Sequence, residues 1–173
     1  MPTIKVSLNT KSINKAIKEL EAYKKSIPKK LDILCQRLAA IGRVSVAQGY
    51  DAAAYDGKKD ITVTVEEIPN GYAIVASGQS LLFVEFGSGV TYGDGHPMAP
   101  ELGYGPGTWP DKHTRTVHGV QYENWENPYG WYLPKEAGGG HTWGNAPSMT
   151  MYETAKELPD IILDIAKEVF ASD

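Results

Sequence analysis

Apolar residues recur at helical spacing through the first third of the chain. Ile13, Ala16, Ile17 and Leu20 predict a short amphipathic helix over residues 9–23. Ser26-Ile27-Pro28 is typical of a helix start with proline in the first turn, so a second, longer helix is predicted from there to about Ala53. The apolar face predicted for this second helix comprises Leu31, Leu34, Cys35, Leu38, Ile41 and Gly42. Ahead of both helices, the alternation from Thr3 to Leu8 predicts an edge strand.

A β-hairpin is predicted after the long helix. Residues 61–67 alternate, with Ile61, Val63 and Val65 on one face, and Asn70-Gly71 is a strong turn signal before the return over 72–76. The apolar run from Leu81 to Phe86 follows, and Gly87-Ser88-Gly89 ends it. Periodicity leaves open whether this run is a helical turn or a buried strand.

The last predicted element is a helix that starts near Pro147 or Ser148. Its apolar stripe repeats at steps of four and three through Met151, Ala155, Leu158, Ile162, Ile165 and Val169. Pro159 is expected to kink this helix or divide it in two. The order of elements predicts an α+β fold, in which a small antiparallel sheet with a β-hairpin is covered by a long helix and a C-terminal helix. The 173 residues fit one domain, spanning 1–173.

Residues 88–147 differ from the rest of the chain in composition. They contain all four tryptophans, all four histidines, twelve of the eighteen glycines and seven of the eleven prolines. So much glycine and proline excludes a long helix, whereas the aromatic content argues against disorder. We therefore expect an insertion of turns and short hairpins that packs its aromatic rings on a neighbouring subunit, or else closes over the sheet as a lid. The aromatic candidates for an interface are Trp109, Trp125, Trp131, Tyr132 and Trp143.

Charge is distributed unevenly along the chain. Residues 1–60 carry twelve Lys/Arg and six Asp/Glu, whereas the remainder carries five and fifteen, for a net charge of −4. Opposite patches can steer identical subunits into head-to-tail contact, although the same pattern also fits two solvated faces. Lys29 and Lys30 belong to the basic cluster at the junction of the two predicted helices and are interface candidates. Few aromatics accompany that cluster, which disfavours sequence-specific nucleic-acid binding.

The sequence contains little that indicates catalysis. No recognised hydrolase, phosphate-binding or zinc motif is present, and the single cysteine, Cys35, lies on an apolar helix face as a small core residue. The alternative to a structural protein is a metal-dependent enzyme. Its metal site would need loop histidines such as His113, His118 and His141 to converge. We expect no cofactor. Because no apolar run approaches about 20 residues, we also expect no membrane partner.

Three segments of the chain resemble a known family. The first is Gly49-Tyr50-Asp51 with residues 54–60, and the second is residues 71–78 followed by the run Leu82-Phe83-Val84-Glu85-Phe86-Gly87-Ser88-Gly89, of which residues 84–89 are the most specific part. The third is Gly130-Trp131-Tyr132 with residues 141–144 and Pro147-Ser148-Met149, which lead into a helix containing Ala155-Lys156-Glu157-Leu158. Together they are similar to the head–tail connector, or tail-completion (neck), proteins of long-tailed bacteriophages. The chain departs from that family's usual pattern at Tyr55-Asp56-Gly57 and at Pro147-Ser148-Met149.

The resemblance implies a non-enzymatic virion protein that acts in the neck or tail, after assembly in the host cytoplasm. Its expected partners are further copies of itself in a ring, the adjoining head-completion or adaptor protein, and a tail-terminator or tail-tube protein. Genomic DNA would pass through the ring without sequence-specific contacts. The neighbouring role of tail terminator, or of another head–tail joining ring, is the closest alternative. Glu85, within the most specific of the three segments, joins the interface candidates.

Overall fold

A computed structural model describes residues 6–88, 95–102, 114–117, 120–123, 131–133 and 135–171. It contains four α-helices and six strands in that part of the chain, together with a 3₁₀ turn at Lys135–Ala137. In chain order these are α1 (Thr10–Ala52), β1 (Thr62–Ile68), β2 (Gly71–Ser77), α2 (Leu81–Phe86), α3 (Ala99–Leu102), β3 (Thr114–Val117), β4 (Val120–Glu123), β5 (Trp131–Tyr132), β6 (His141–Thr142) and α4 (Thr150–Ala171). The architecture is α+β, as predicted: a long N-terminal helix, a two-stranded antiparallel sheet and a C-terminal helix. None of the helices in the described ranges combines the length and apolar character needed to cross a membrane.

The two helices predicted in the first third of the chain are one helix, α1, with Pro28 in its interior. Asn9 caps it, since its side-chain oxygen accepts a hydrogen bond from the Ser12 amide at 2.8 Å. Pro28 leaves the carbonyl four residues earlier, at Lys24, without its helical donor, but Lys24 is exposed and water can donate instead. The predicted break was therefore wrong.

The predicted edge strand is absent over residues 6–8, which have no regular structure, and residues 3–5 lie outside the described residues. Leu8 is fully exposed there.

The hairpin is confirmed, with a shift in its turn. Strands β1 and β2 pair antiparallel in a register that joins Ile68 to Gly71, so the two loop residues are Pro69 and Asn70. Asn70 takes the positive φ of 72°, which asparagine tolerates better than most residues. Gly71 is thus the first residue of β2 rather than part of the turn.

One apolar core joins α1, the hairpin and α2. Val46 and Val84 are almost completely buried, and Tyr50 lies in the same cluster. Half-buried side chains from both strands, including Val63 and Ile74, pack against this cluster. The run 81–86, which periodicity left undecided, is therefore a short helix whose last three residues are buried.

Helix α4 runs antiparallel along α1. Near its start Thr150 lies against Gly49, midway Leu158 lies against Gly42, and near its end Val169 packs on Leu34. Both glycines admit these side chains because a Cβ at either position would meet them. The helix is continuous through Pro159, so the predicted division in two was wrong, and it starts at Thr150, slightly later than expected.

The apolar stripes of α1 and α4 are only partly buried. Leu34, Ile165 and Val169 are buried as predicted, but Leu31 and Ile162 are exposed at 47% and 37%. On α4 the face packed against α1 also includes Thr154 and Ile161, which are not part of the predicted apolar stripe. The contact is therefore rotated by part of a turn from the predicted stripe.

Candidate functional site

The most elaborate polar arrangement in the described residues surrounds Glu85 on α2. Its side chain is buried, with 4% of its surface exposed. Tyr50 on α1 donates its hydroxyl proton to Glu85 Oε2 at 2.9 Å. At the start of α4, the amide of Met151 donates to Oε1 at 3.1 Å and to Oε2 at 3.2 Å, while that of Tyr152 donates to Oε1 at 3.3 Å. The carboxylate therefore joins three elements of the fold.

His96 completes this cluster from the segment before α3. Its Nδ1 accepts a hydrogen bond from the Met98 amide at 3.0 Å, so Nε2 is the nitrogen that carries the proton in the neutral ring. That Nε2 lies 3.2 Å from Glu85 Oε1 and donates to it. The ring also packs against Phe86 and Tyr152, with centroid distances of 4.5 and 5.2 Å. His96 is therefore held both by hydrogen bonds and by contacts with two aromatic rings.

The start of α4 supplies the charge compensation for Glu85. Its first amides and its dipole favour an anion at this end. Burial, together with the adjacent Glu85 carboxylate, raises the pKa of Tyr50 far above its usual range, so the phenol remains a donor. These partners lie on α1, on α4 and in the segment before α3, so the Glu85 carboxylate ties these parts of the fold together. Glu85, which the sequence analysis names as an interface candidate, is therefore buried inside the single subunit.

The segment after α2 is pinned to the segment before α4. Ser88 and Asn145 exchange backbone hydrogen bonds at 2.9 and 3.1 Å, and the Ser88 hydroxyl lies 2.9 Å from Asn145 Oδ1. The Asn145 side chain donates further to the Phe83 carbonyl at 2.8 Å. The two ends of the 88–147 insertion therefore meet at a closed base.

Gly87 at the end of α2 fits this base only because it has no side chain. Its φ is +76°, and a Cβ there would lie 2.8 Å from the Pro147 nitrogen and 2.9 Å from the Asn145 carbonyl oxygen. We expect Gly87→Ala to lower the free energy of unfolding by about 3 kcal/mol, combining left-handed strain with overpacking. Gly140→Ala is the matched control, since Gly140 has a φ of +93° but nothing within 4 Å of its Cβ position. It should cost about 1 kcal/mol. Urea denaturation of both variants tests the difference, and equal losses would contradict the close approach.

Residues of the first resembling segment act as caps. Lys59 Nζ donates to the carbonyls of Tyr50, Asp51 and Ala53 at the end of α1, at 3.0, 2.5 and 3.0 Å. Asp60 accepts hydrogen bonds from the hydroxyl and amide of Ser80, before α2, at 2.6 and 2.9 Å. These bonds, with one from the Gln79 amide, hold the pKa of Asp60 at about 2.

An aromatic patch lies near the same base. Tyr132 on β5 is 74% exposed and Trp143, just after β6, is 59% exposed. His141 lies between them, with ring centroids 5.0 Å from Tyr132 and 4.4 Å from Trp143. Thr142, buried behind the patch, donates its hydroxyl to Asp56 Oδ2 at 2.7 Å and so fixes β6 to the body. Large exposed aromatics on a fixed support are typical of an interaction surface.

The other predicted interface residues are dispersed or lie outside the described residues. Trp109 and Trp125 are outside, and Trp131 is placed only as part of strand β5. Lys29 is exposed on α1, and Lys30 lies with its Nζ 5.8 Å from the Tyr23 ring centroid on the same helix. The basic cluster and the aromatic patch thus lie at different places in the fold.

For the metal alternative, His113 and His118 lie outside the described residues. Within the described part of the chain, no group of three His, Cys, Asp or Glu side chains could hold a metal ion. Cys35 is half-buried and lines a shallow apolar cleft between α1, the hairpin and α4.

Comparison of the chain with models of protein families, with curated proteins and with solved structures found no match.

Proposed function

We propose that the chain is a structural subunit of the head–tail joint of a long-tailed bacteriophage. Copies of it would form a homo-oligomeric ring in the virion, assembled in the host cytoplasm, through which genomic DNA passes. The proposal rests on the resemblance of three segments to neck proteins and on one structural observation, the exposed Tyr132–His141–Trp143 patch. A net charge of −4 suits a conduit along which DNA slides without adhering.

The contacts around Glu85, Asp60 and Lys59 support the same proposal. Polar side chains in the resembling segments are occupied in holding helix ends, so these segments serve the shape of the subunit. A ring subunit requires such a rigid body, because small errors in each contact accumulate around the ring. The aromatic patch would then contact a neighbouring copy or an adjoining head or tail protein.

The double substitution Tyr132→Ala with Trp143→Ala tests the patch. Both side chains are largely exposed, so the fold should persist with its unfolding free energy nearly unchanged. If both are interface hot spots, their loss should cost about 4 kcal/mol of binding, or about a thousandfold in affinity. Solution mass measurement should show loss of the ring, and electron microscopy of particles made with the cognate head and tail proteins should show unjoined heads and tails.

A matched control removes exposed apolar surface elsewhere. Ile41→Ala with Leu163→Ala alters side chains that are 39% and 70% exposed on α1 and α4. This control should leave ring formation and joining intact. A patch variant that assembles and joins normally would contradict the proposed interface, and a wild-type protein absent from purified particles would contradict the proposed function.

A further inference from the structure

Helix α1 carries a heptad pattern longer than its contact with α4. Apolar residues recur at alternating steps of four and three along its first two thirds, with a single lysine among them. The positions are Ile13, Ile17, Leu20, Lys24, Ile27, Leu31, Leu34 and Leu38. This average spacing of 3.5 residues is that of the seam between two helices of a coiled coil.

Helix α4 covers only the later part of this seam. Leu34 is buried against Ile165 and Val169, and Arg37 pairs with Glu168 at 2.6 Å, three residues before α4 ends. The first twenty residues of α1 therefore extend about 30 Å beyond the end of α4. We call residues 10–31 the α1 arm.

Most of the seam of the arm is exposed, although Ile27 on it is half-buried and Ala16 beside it is 7% exposed. Ile13, Ile17, Leu20 and Leu31 retain 42%, 47%, 56% and 47% of their surface. Scattered exposed apolar residues are ordinary, but four on one helical stripe form a surface that another helix would cover.

The charges of the arm lie mostly away from this seam. At 100° per residue, five exposed lysines fall on the opposite face of the helix. They are Lys11, Lys15, Lys18, Lys25 and Lys29. Mutual repulsion between two arms joined by their seams would therefore be small, since these lysines point outward and are screened by salt.

We propose that the seam of the arm binds the arm of a second copy, in antiparallel orientation. A pairing centred near residue 22 sets Ile13 opposite Leu31, Ile17 opposite Ile27 and Leu20 opposite Lys24. Each layer then pairs unlike heptad positions, and the contact is the same for both copies.

Lys24 decides the orientation. A parallel, in-register pair would place Lys24 against its own copy, which is destabilising. In the antiparallel pair, Lys24 lies beside Leu20 and within reach of Glu21 of the second copy, and the two-fold symmetry repeats this ion pair. Glu21 is exposed on the flank of the seam and is available for it.

This pairing does not depend on the proposed ring. The aromatic patch is tied through Thr142 to Asp56, beyond the C-terminal end of α1. The arm lies at the N-terminal end of a helix of 43 residues, and its last residue, Leu31, is about 30 Å from the C-terminal end of that helix. The two surfaces can therefore be altered separately.

Analytical ultracentrifugation of the full chain tests the pairing. Ile17→Glu with Leu20→Glu should halve the particle mass, whereas Lys18→Glu with Lys25→Glu, on the outer face, should not change it. Lys24→Glu alone should weaken association at least tenfold, and Lys24→Glu combined with Glu21→Lys should restore it, because the swapped charges pair again. Circular dichroism checks that each variant remains helical.

Orientation is tested by disulfide cross-linking of Ile13→Cys with Leu31→Cys in a Cys35→Ser background. Peptides joining 13 to 31 of another copy are expected, and peptides joining 13 to 13 would overturn the antiparallel arrangement. A wild-type monomer at high micromolar concentration would overturn the pairing. So would an oligomer whose mass the Ile17→Glu, Leu20→Glu variant leaves unchanged, although that result leaves the ring proposal intact. Binding of a monomeric wild-type chain to anionic phospholipid vesicles would identify a membrane as the occupant instead.

Discussion

Replacing Glu85 with alanine is expected to lower the free energy of unfolding by about 4 kcal/mol. The substitution leaves the Tyr50 hydroxyl, His96 Nε2 and the amides of Met151 and Tyr152 without the acceptor they share. Each buried donor that loses its partner costs roughly 1–3 kcal/mol, and the removed side chain leaves a cavity between α1, α2 and α4. Chemical denaturation at neutral pH measures the loss.

Two controls separate the network from the mere removal of an acid. Glu85→Gln keeps one acceptor oxygen and nearly the same volume, so it should lose less, about 2 kcal/mol. Glu157→Ala removes an exposed acid from α4 and should change stability by no more than about 0.5 kcal/mol. A Glu85→Ala protein as stable as the Glu157→Ala protein would show that the bonds around Glu85 contribute nothing net.

The second large effect is expected on α4, where two isoleucines three residues apart differ in burial. Ile165 is 6% exposed in the cluster with Leu34 and Val169, whereas Ile162 is 37% exposed. Ile165→Asp places an unpaired charge in this core and should cost at least about 4 kcal/mol, which is enough to unfold many small proteins. Ile162→Asp should cost only about 1 kcal/mol because water reaches its side chain.

Thermal denaturation followed by circular dichroism distinguishes the two variants. Because both variants introduce aspartate into α4, they change helix propensity and net charge equally, and only the burial of the substituted side chain differs. Similar losses of stability in both variants would contradict this difference in burial and would mean that Ile162 is buried in solution, for example beneath a second subunit.

Local patterns predict those elements whose signal lies within a few residues. Strict alternation of Val63 and Val65 and the Asn70-Gly71 pair are sufficient for the hairpin, because strand and turn chemistry are short-range. The helical stripe of α4 is likewise sufficient for its existence. The local pattern does not predict which side of α4 faces α1. That side is set by the surface of α1, where Gly42 and Gly49 leave room for Leu158 and Thr150.

Two predictions based on proline were wrong. Pro28 and Pro159 both lie inside continuous helices, since the carbonyls that lose a donor belong to Lys24 and Ala155, which are exposed to water. Whether a proline ends a helix depends on tertiary packing and hydration as well as on the residue itself. Neither factor is visible in a local pattern.

The sequence analysis names Glu85 only as an interface candidate, although one feature of the sequence indicates a buried position. An acid within the apolar run 81–86 must be either at an edge or paired in the interior. Its partners are 35, 11 and 66 residues away, at Tyr50, His96 and Met151. Such distances in sequence place the network beyond any motif, so only the fold reveals it.

The pairing of Ser88 with Asn145 bears on how such proteins diversify. The 56 residues between Ser88 and Asn145 form one connection, and hydrogen bonds hold its two ends side by side. Once a connection is closed, doubling its length costs only about 0.6 kcal/mol of chain entropy. Natural variation can therefore lengthen or shorten this connection while the helices that hold its two ends keep their arrangement.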